Sequence, residues 1–229
     1  VMVAIRDVTE RRRAREELEM INKKLELLSS ITRHDIINKV TVILGNLRSA
    51  RKNWSDPAII ALLDKLESAA KSIRAQTEFT RIYQILGSHE PQWQNLRDVI
   101  PVKSIPPEIH VDLQAGEIAI FADPMLEKVF YNLLDNSIKH GGHVTAIRLF
   151  FEPVPEGIRI VWEDNGSGIS PGDKESVFER GFGNNSGLGL FLSREILAIT
   201  GITIRETGLF LQGARFEITI PANHVRVPG

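Results

Sequence analysis

The sequence predicts an α+β protein, an antiparallel two-helix hairpin followed by an α/β sandwich domain. Three observations carry that prediction. Residues 10–52 contain no proline and a single glycine, Gly45. Along them Leu18, Ile21, Leu25, Leu28, Thr32, Ile36, Val40, Ile43, Leu47 and Ala50 recur at steps of three and four, a heptad seam with a stutter near position 34. A second repeat (Ile59, Leu63, Leu66, Ala70, Ile73, Thr77, Thr80) follows the turn Asn53-Trp-Ser-Asp-Pro57, where proline suits the first turn of a helix. Beyond His89-Glu-Pro-Gln-Trp93 the periodicity becomes mixed, short alternating runs interleaved with helical ones.

Taken in order, residues 1–7 alternate weakly and read as a short strand. Thr9 is a plausible N-cap for the first long helix. Residues 1–10 are thus the end of an upstream domain, 11–88 the hairpin and 92–222 the second domain. One hairpin has only a stripe to bury, and two make a four-helix bundle, so a twofold homodimer is expected. In the second domain strands are expected near 109–113, 117–121, 144–151, 157–163, 202–206 and 214–220, and helices near 124–140 and 187–199. One sheet with helices on one face is the expected layering.

Composition narrows the function. The formal net charge of -1 offers no global basic field for nucleic acid. The chain has no cysteine, which excludes disulfides, thiolate metal sites and a cysteine nucleophile. Its six histidines form no ligand-spaced cluster. No apolar run approaches the ~20 residues of a membrane span, and no leader is visible. The valine start reads as a fragment of a longer protein. The fragment is expected to be cytoplasmic, which leaves room for a membrane-anchored parent.

Four segments in the second domain carry chemistry. Asn132, Asn136 and Lys139 fall on one helical face, with Leu133, Leu134 and Ile138 expected in a core. Amide oxygens suit Mg²⁺ and a lysine suits phosphate. Asp164-Asn-Gly166-Ser-Gly168 follows a strand, where a carboxylate can accept the amino proton of adenine. Phe178-Glu-Arg180-Gly-Phe182-Gly183 lies in a loop, and Gly187-Leu-Gly189-Leu190 opens a helix whose free N–H groups favour anions. Each alone is weak, since polar helix faces and Asn-Gly turns are common.

Together and in this order they resemble the N, G1, F and G2 boxes of the histidine-kinase ATPase family, the GHKL fold. The resemblance covers roughly 96–221 and ends in Gly213-Ala-Arg-Phe216-Glu-Ile-Thr-Ile-Pro221, which looks like that family's closing strand. It implies that ATP and Mg²⁺ bind here. Asn136 would ligate Mg²⁺, Asn132 and Lys139 would face the phosphates, and His140 would pack on adenine or ribose. Asp164 would read the adenine amino group. Gly166, Gly168, Gly187, Leu188 and Gly189 would supply backbone walls and phosphate donors. Arg180 is a candidate for reaching the γ-phosphate. Phe178 and Phe182 would pin a short lid, 169–186, with Gly181, Gly183, Asn184 and Asn185 as its flexible points.

Upstream, His34 lies two residues from the seam positions Thr32 and Ile36, about 200° round the helix, and so faces outward. Asn38, four residues on, shares that face, while Asp35 reaches the imidazole only at an angle. His34-Asp35-Ile-Ile-Asn38 resembles the family's H box. By that resemblance His34 is the nucleophile and phosphate carrier, Asp35 the base and orienter, and Asn38 the residue that positions the water for dephosphorylating a partner. Where the family usually has proline, five residues after the histidine, this chain has Lys39, so the helix need not kink. Asp7-Val-Thr-Glu-Arg11 looks like the exit of a PAS sensor domain, implying an upstream sensor in the same chain.

The resemblance as a whole implies a sensor histidine kinase core that passes phosphate to the receiver domain of a separate response regulator. Two other readings stay open at this point. One is a GHKL ATPase working as a conformational clamp, against which the outward histidine argues. The other is a non-enzymatic dimerisation scaffold, against which Asn136, Asp164, Gly187 and Gly189 argue.

Overall fold

A computed structural model describes residues 2–114, 116–182 and 187–227, with side chains from Arg12 onward except 13–15, 19 and 26. Gly183, Asn184 and Asn185 of the expected lid therefore lie outside the described residues. The chain divides into two compact units, Val1–Ile82 and Tyr83–Gly229.

The first unit is the hairpin. Helix α1 spans Met2–Asn53 and α2 spans Pro57–Ile85. Arg51 and Lys52 sit in the last turn of α1, where cations favour the helix dipole. At the turn, Asp56 Oδ1 accepts the Ala58 N–H at 2.8 Å, satisfying one of the free donors at the start of α2. The antiparallel pairing is fixed by Arg51, which reaches Asp64 (3.0 Å) and Glu67 (3.7 Å). Inside it Val40, Leu44 and Ala70 form a buried cluster with Ile36 packed against it.

Two expectations for this unit are corrected. The strand at 1–7 is helix, and Thr9 lies within α1 rather than capping it. No glycine or proline interrupts 1–10, so the helical pattern simply propagates back. The single seam is also two stripes. Val40 and Leu44 face α2, whereas Ile43, Leu66 and Ile73, placed on the seam by periodicity, are 46–47% exposed. Heptad steps alone do not distinguish the side facing a hairpin partner from the side left open.

The second unit holds the mixed structure. Its strands are β1 (Gln92–Asn95), β2 (His110–Gln114), β3 (Ala119–Ala122), β4 (Ala146–Val154), β5 (Gly157–Asp164), β6 (Thr203–Glu206), β7 (Arg215–Pro221) and β8 (Val225–Arg226). Its α-helices are α3 (Leu96–Val99), α4 (Leu126–His140) and α5 (Gly189–Ala198). The main sheet runs β2-β4-β5-β7-β6, with β2 parallel to β4 and the other pairs antiparallel. The expectation of one sheet is corrected by a second, three-stranded one, β1-β3-β8. That sheet also carries the domain past residue 222.

Strand alternation sorts the main sheet into two faces. Ile147, Leu149, Ile160, Trp162, Phe216, Ile218 and Ile204 point one way and are buried. On the same face lie the carboxylates Asp164 and Glu206, at the ends of β5 and β6. The other face is a charge ladder. In register across β4, β5 and β7, Arg148 pairs Glu163 at 2.8 Å and Glu163 pairs Arg215. Arg159 bridges Glu152 (3.1 Å) and Glu217 (3.3 Å). Helix α4 buries Leu126, Val129, Phe130, Leu133, Leu134 and Ser137, a clean amphipathic stripe with one polar member. Ile138, expected in the core, is 39% exposed, because the stripe runs through Ser137 instead.

Candidate functional site

On α1, the His34 side chain is 75% exposed and that of Asp35 64%. The Asn38 amide Nδ2 lies 3.2 Å from His34 Nδ1 and 3.5 Å from Nε2. Whichever ring nitrogen carries the lone pair, this amide can donate to it. Asp35 Oδ1 stands 3.8 Å from Nδ1, an ion-pair distance outside hydrogen-bond reach. The helix continues through Lys39 without a break. Just beyond the histidine, Asn38, Lys39, Val42 and Ile43 are exposed on α1.

In the second unit the site forms where the C-terminal end of α4 meets the end of β5. Asp164 is 7% exposed and its carboxylate receives three hydrogen bonds. Oδ1 accepts from Gly166 N (3.0 Å) and Ala214 N (3.1 Å), and Oδ2 accepts from Ser137 Oγ (2.6 Å). A carboxylate offers about four acceptor positions, so one stays open among the described residues. The backbone crowds in because Gly213 permits it. At φ +132°, a Cβ there would lie 1.9 Å from the Asp164 carbonyl oxygen. Asn165 closes the neighbouring edge by accepting from Thr145 N and Ala146 N.

The α4 residues separate in behaviour. Asn132 commits its amide N–H groups to Gly189 O (2.9 Å) and Ser193 Oγ (3.1 Å), bracing the first turn of α5. Asn136 is half-buried, and no hydrogen bond of its side chain appears among the described residues. Its free amide oxygen fits a hard cation such as Mg²⁺. Lys139 is exposed and paired with Asp135 at 2.8 Å, and His140 is exposed at the helix end. Gly187, at φ +58°, precedes Leu188 and Gly189, where α5 begins with no side-chain cap. Its first N–H groups thus lack a side-chain acceptor from the N-cap.

The lid segment is anchored at its start. Phe178 is buried, edge-on to Phe216 with centroids 6.3 Å apart, and Arg194 lies 4.3 Å over its ring. Phe182, expected to share this role, is 36% exposed. Arg180 is exposed. Lys174 donates to Glu206 Oε2 (2.6 Å) and to the Gly208 carbonyl (2.5 Å). The sequence reading missed Ser137, Trp162, Lys174 and Glu206. Ser137 alone carried a signal, as the polar member of an otherwise apolar stripe.

Residues 122–224 match the family described as histidine kinase-, DNA gyrase B- and HSP90-like ATPase. Over those residues the second unit is similar to the ATPase domains of that family. The chain is also 29% identical over 169 residues to the sensor protein KdpD of Escherichia coli, covering 70% of this chain and 18% of KdpD. It is 28% identical over 240 residues to the signal transduction histidine-protein kinase AtoS of the same organism, covering 95% of this chain and 38% of AtoS. The chain thus spans less than half the length of these curated relatives. Among solved structures it is similar in fold to full-length ShkA in complex with AMPPNP, with a TM-score of 0.58 and 19% identity over 84% of this chain and 45% of ShkA. The architecture is therefore a helical hairpin followed by a domain with the GHKL ATPase fold, and the relatives are a sensor protein and a signal transduction histidine-protein kinase. Among the described residues no helix is long and apolar enough to cross a membrane.

Proposed function

We infer that this chain is the kinase core of a sensor histidine kinase, which moves the γ-phosphoryl group of ATP to His34 and then to an aspartate on a separate response regulator. The observation that carries this reading is an exposed imidazole, held beside Asn38 and Asp35, in the same chain as a domain similar to the ATPase domains of this family. A clamp-type ATPase gives no reason for such a histidine. Asp164 would accept from the adenine amino group through its open acceptor position. Asn136 would hold Mg²⁺, which neutralises phosphate charge when bound. Lys139 and the N–H groups of Gly187, Leu188 and Gly189 would face the phosphates, with Arg180 toward the γ-phosphate, and Asn132, its N–H groups committed to Gly189 O and Ser193 Oγ, would brace the helix start that presents them.

In the transfer, the lone pair of a neutral His34 nitrogen forms the N–P bond as the bond between the γ-phosphorus and its bridging oxygen breaks. ADP leaves with that electron pair. The proton left on the other ring nitrogen passes to Asp35 or water. Asn38 must first release the attacking nitrogen, since its amide lies within donor distance of both. Afterwards it would orient the water that dephosphorylates the regulator. Exposed Asn38 and Val42, one and two turns beyond His34, support docking of the receiver domain beside it. A homodimer through the exposed stripe, a cytoplasmic location and a PAS-like sensor feeding α1 complete the reading.

The test is incubation with labelled ATP and Mg²⁺ followed by mapping of the label. An acid-labile, alkali-stable phosphate on His34, absent in His34→Ala although ATP still binds, is expected. Label elsewhere, or ATP turnover with no protein-bound phosphate, rejects the kinase reading.

A further inference from the structure

Behind Asp164 lies a second layer of hydrogen bonds that base recognition does not by itself require. Ser137 is 1% exposed, on the buried stripe of α4. A buried helical serine ordinarily returns its hydroxyl to a carbonyl one turn back. Here the hydroxyl instead crosses to β5 and meets Asp164 Oδ2 at 2.6 Å. Trp162, 1% exposed on β5 and two residues before Asp164, places its Nε1 3.2 Å from the same Ser137 Oγ.

The direction of these bonds is fixed by chemistry. An indole N–H donates and cannot accept. Ser137 Oγ must therefore accept from Trp162, and its own single proton is left for Asp164. Gly166 N and Ala214 N, being backbone donors, can also only donate to the carboxylate. Asp164 is thus on the receiving side of every bond it makes among the described residues, and its remaining position is an acceptor too. A purine with an amino group at C6 satisfies that position. A 6-oxo purine sets a carbonyl against it and leaves two acceptors facing each other in a buried site, which is heavily disfavoured.

We propose that Trp162 and Ser137 form a one-way hydrogen-bond relay that fixes Asp164 as an acceptor and thereby sets the preference for a 6-amino over a 6-oxo purine nucleotide. The inference rests on Asp164 facing the purine. Ser137 and Trp162 are positioning residues that act through it. Ser137→Ala removes the donor on Oδ2, so the carboxyl is free to turn and no longer holds a fixed acceptor against the C6 substituent.

The test compares the binding of ATP and of inosine triphosphate, each with Mg²⁺, by calorimetry on the full chain. Wild type is expected to prefer ATP by roughly a hundredfold or more. Ser137→Ala should narrow that ratio about tenfold, Trp162→Phe should narrow it less, and Ser137→Thr should restore it. A thermal melt without nucleotide establishes that each variant is folded. If Ser137→Ala weakens both nucleotides by the same factor, the residue is merely structural and the relay is overturned. If Asp164→Ala leaves the ATP affinity and the ratio unchanged, the base-reading role of Asp164 itself fails and the relay falls with it. A folded Ser137→Ala with an unchanged ratio, beside an Asp164→Ala that abolishes binding, refutes the relay alone.

Discussion

Replacing Lys174 with methionine removes an ammonium group while keeping most of the stem, and it isolates what holds the start of the lid. Glu206 has no exposed side-chain surface and is tied to Lys174 at 2.6 Å, Gly208 N at 2.9 Å and Arg215 N at 3.2 Å. Removing one partner of a buried pair costs about 3–5 kcal/mol. Two corrections apply. The Lys174 side chain is 25% exposed, so water enters the vacated position. Glu206 also keeps two backbone donors. About 2 kcal/mol of destabilisation remains. For a unit the size of Tyr83–Gly229, that corresponds to a fall in Tm of about 4–8 °C. Calorimetry without nucleotide reads it directly. Glu206→Gln, which can still accept from both backbone N–H groups, should cost less, and the double variant should cost less than the two single costs added together. A Lys174→Met protein melting with wild type, or strictly additive losses, would refute the anchor.

Other perturbations probe separate parts. Gly213→Ala forces a Cβ against the Asp164 carbonyl at a φ that favours glycine, so ATP binding should be lost, with about 1–3 kcal/mol of destabilisation. Retained affinity in a calorimetric titration contradicts the close approach. In the hairpin, Leu44→Ala empties the buried cluster and should cost about 2–4 kcal/mol in a helical melt, whereas Ile43→Ser should leave the melt of a single hairpin nearly unchanged. Equal effects would mean that the two stripes are misassigned. Burial alone would raise the Glu217 carboxyl, but hydrogen bonds from Arg215 and Thr207 and the charges of Arg159 and Arg215 outweigh it and hold it below the usual value. Its stabilising contribution is therefore present above the unfolded carboxylate pKa and is lost as pH falls through the lower folded one. Glu217→Gln should flatten that part of an acid titration of stability, and a parallel curve counts against it. Asn38→Ala should spare autophosphorylation and slow dephosphorylation of the regulator in a phosphate-release assay. Unchanged release removes Asn38 from that role.

What the sequence made legible follows physical range. Periodicity marks elements whose burial is regular, and β7, alternating from Arg215 to Pro221, and α4, with its stripe at three- and four-residue steps, were readable for that reason. Strand β1 was not. Gln92-Trp-Gln-Asn95 is polar in three of four positions, and it is a strand because β3 pairs with it, Trp93 lying 5.4 Å from Phe121 beneath the guanidinium of Arg226. Strand β8, of two residues, exists on the same terms. Asp164 was legible from the glycines that follow it. Ser137 and Trp162 were not legible as a pair, because their meeting depends on how α4 lies on β5, which neither segment's pattern contains.

The hairpin leaves an unsettled surface that bears on the proposed chemistry. Helix α1 has 52 residues and α2 has 29, so α2 can cover only part of its partner. Beyond that reach Leu18, Ile21, Leu25 and Leu28 are 57–62% exposed. Burying one such side chain is worth roughly 1.5–3 kcal/mol, and these four recur at the three- and four-residue steps of a coil seam. A second copy pairing along that seam would cover them without covering His34, which stands about 200° round from Thr32 and Ile36 on the same seam. A rotation or slip of the paired seam would then change what His34 presents to an ATP-bearing domain. An upstream sensor joined to α1 would need no other route to the imidazole.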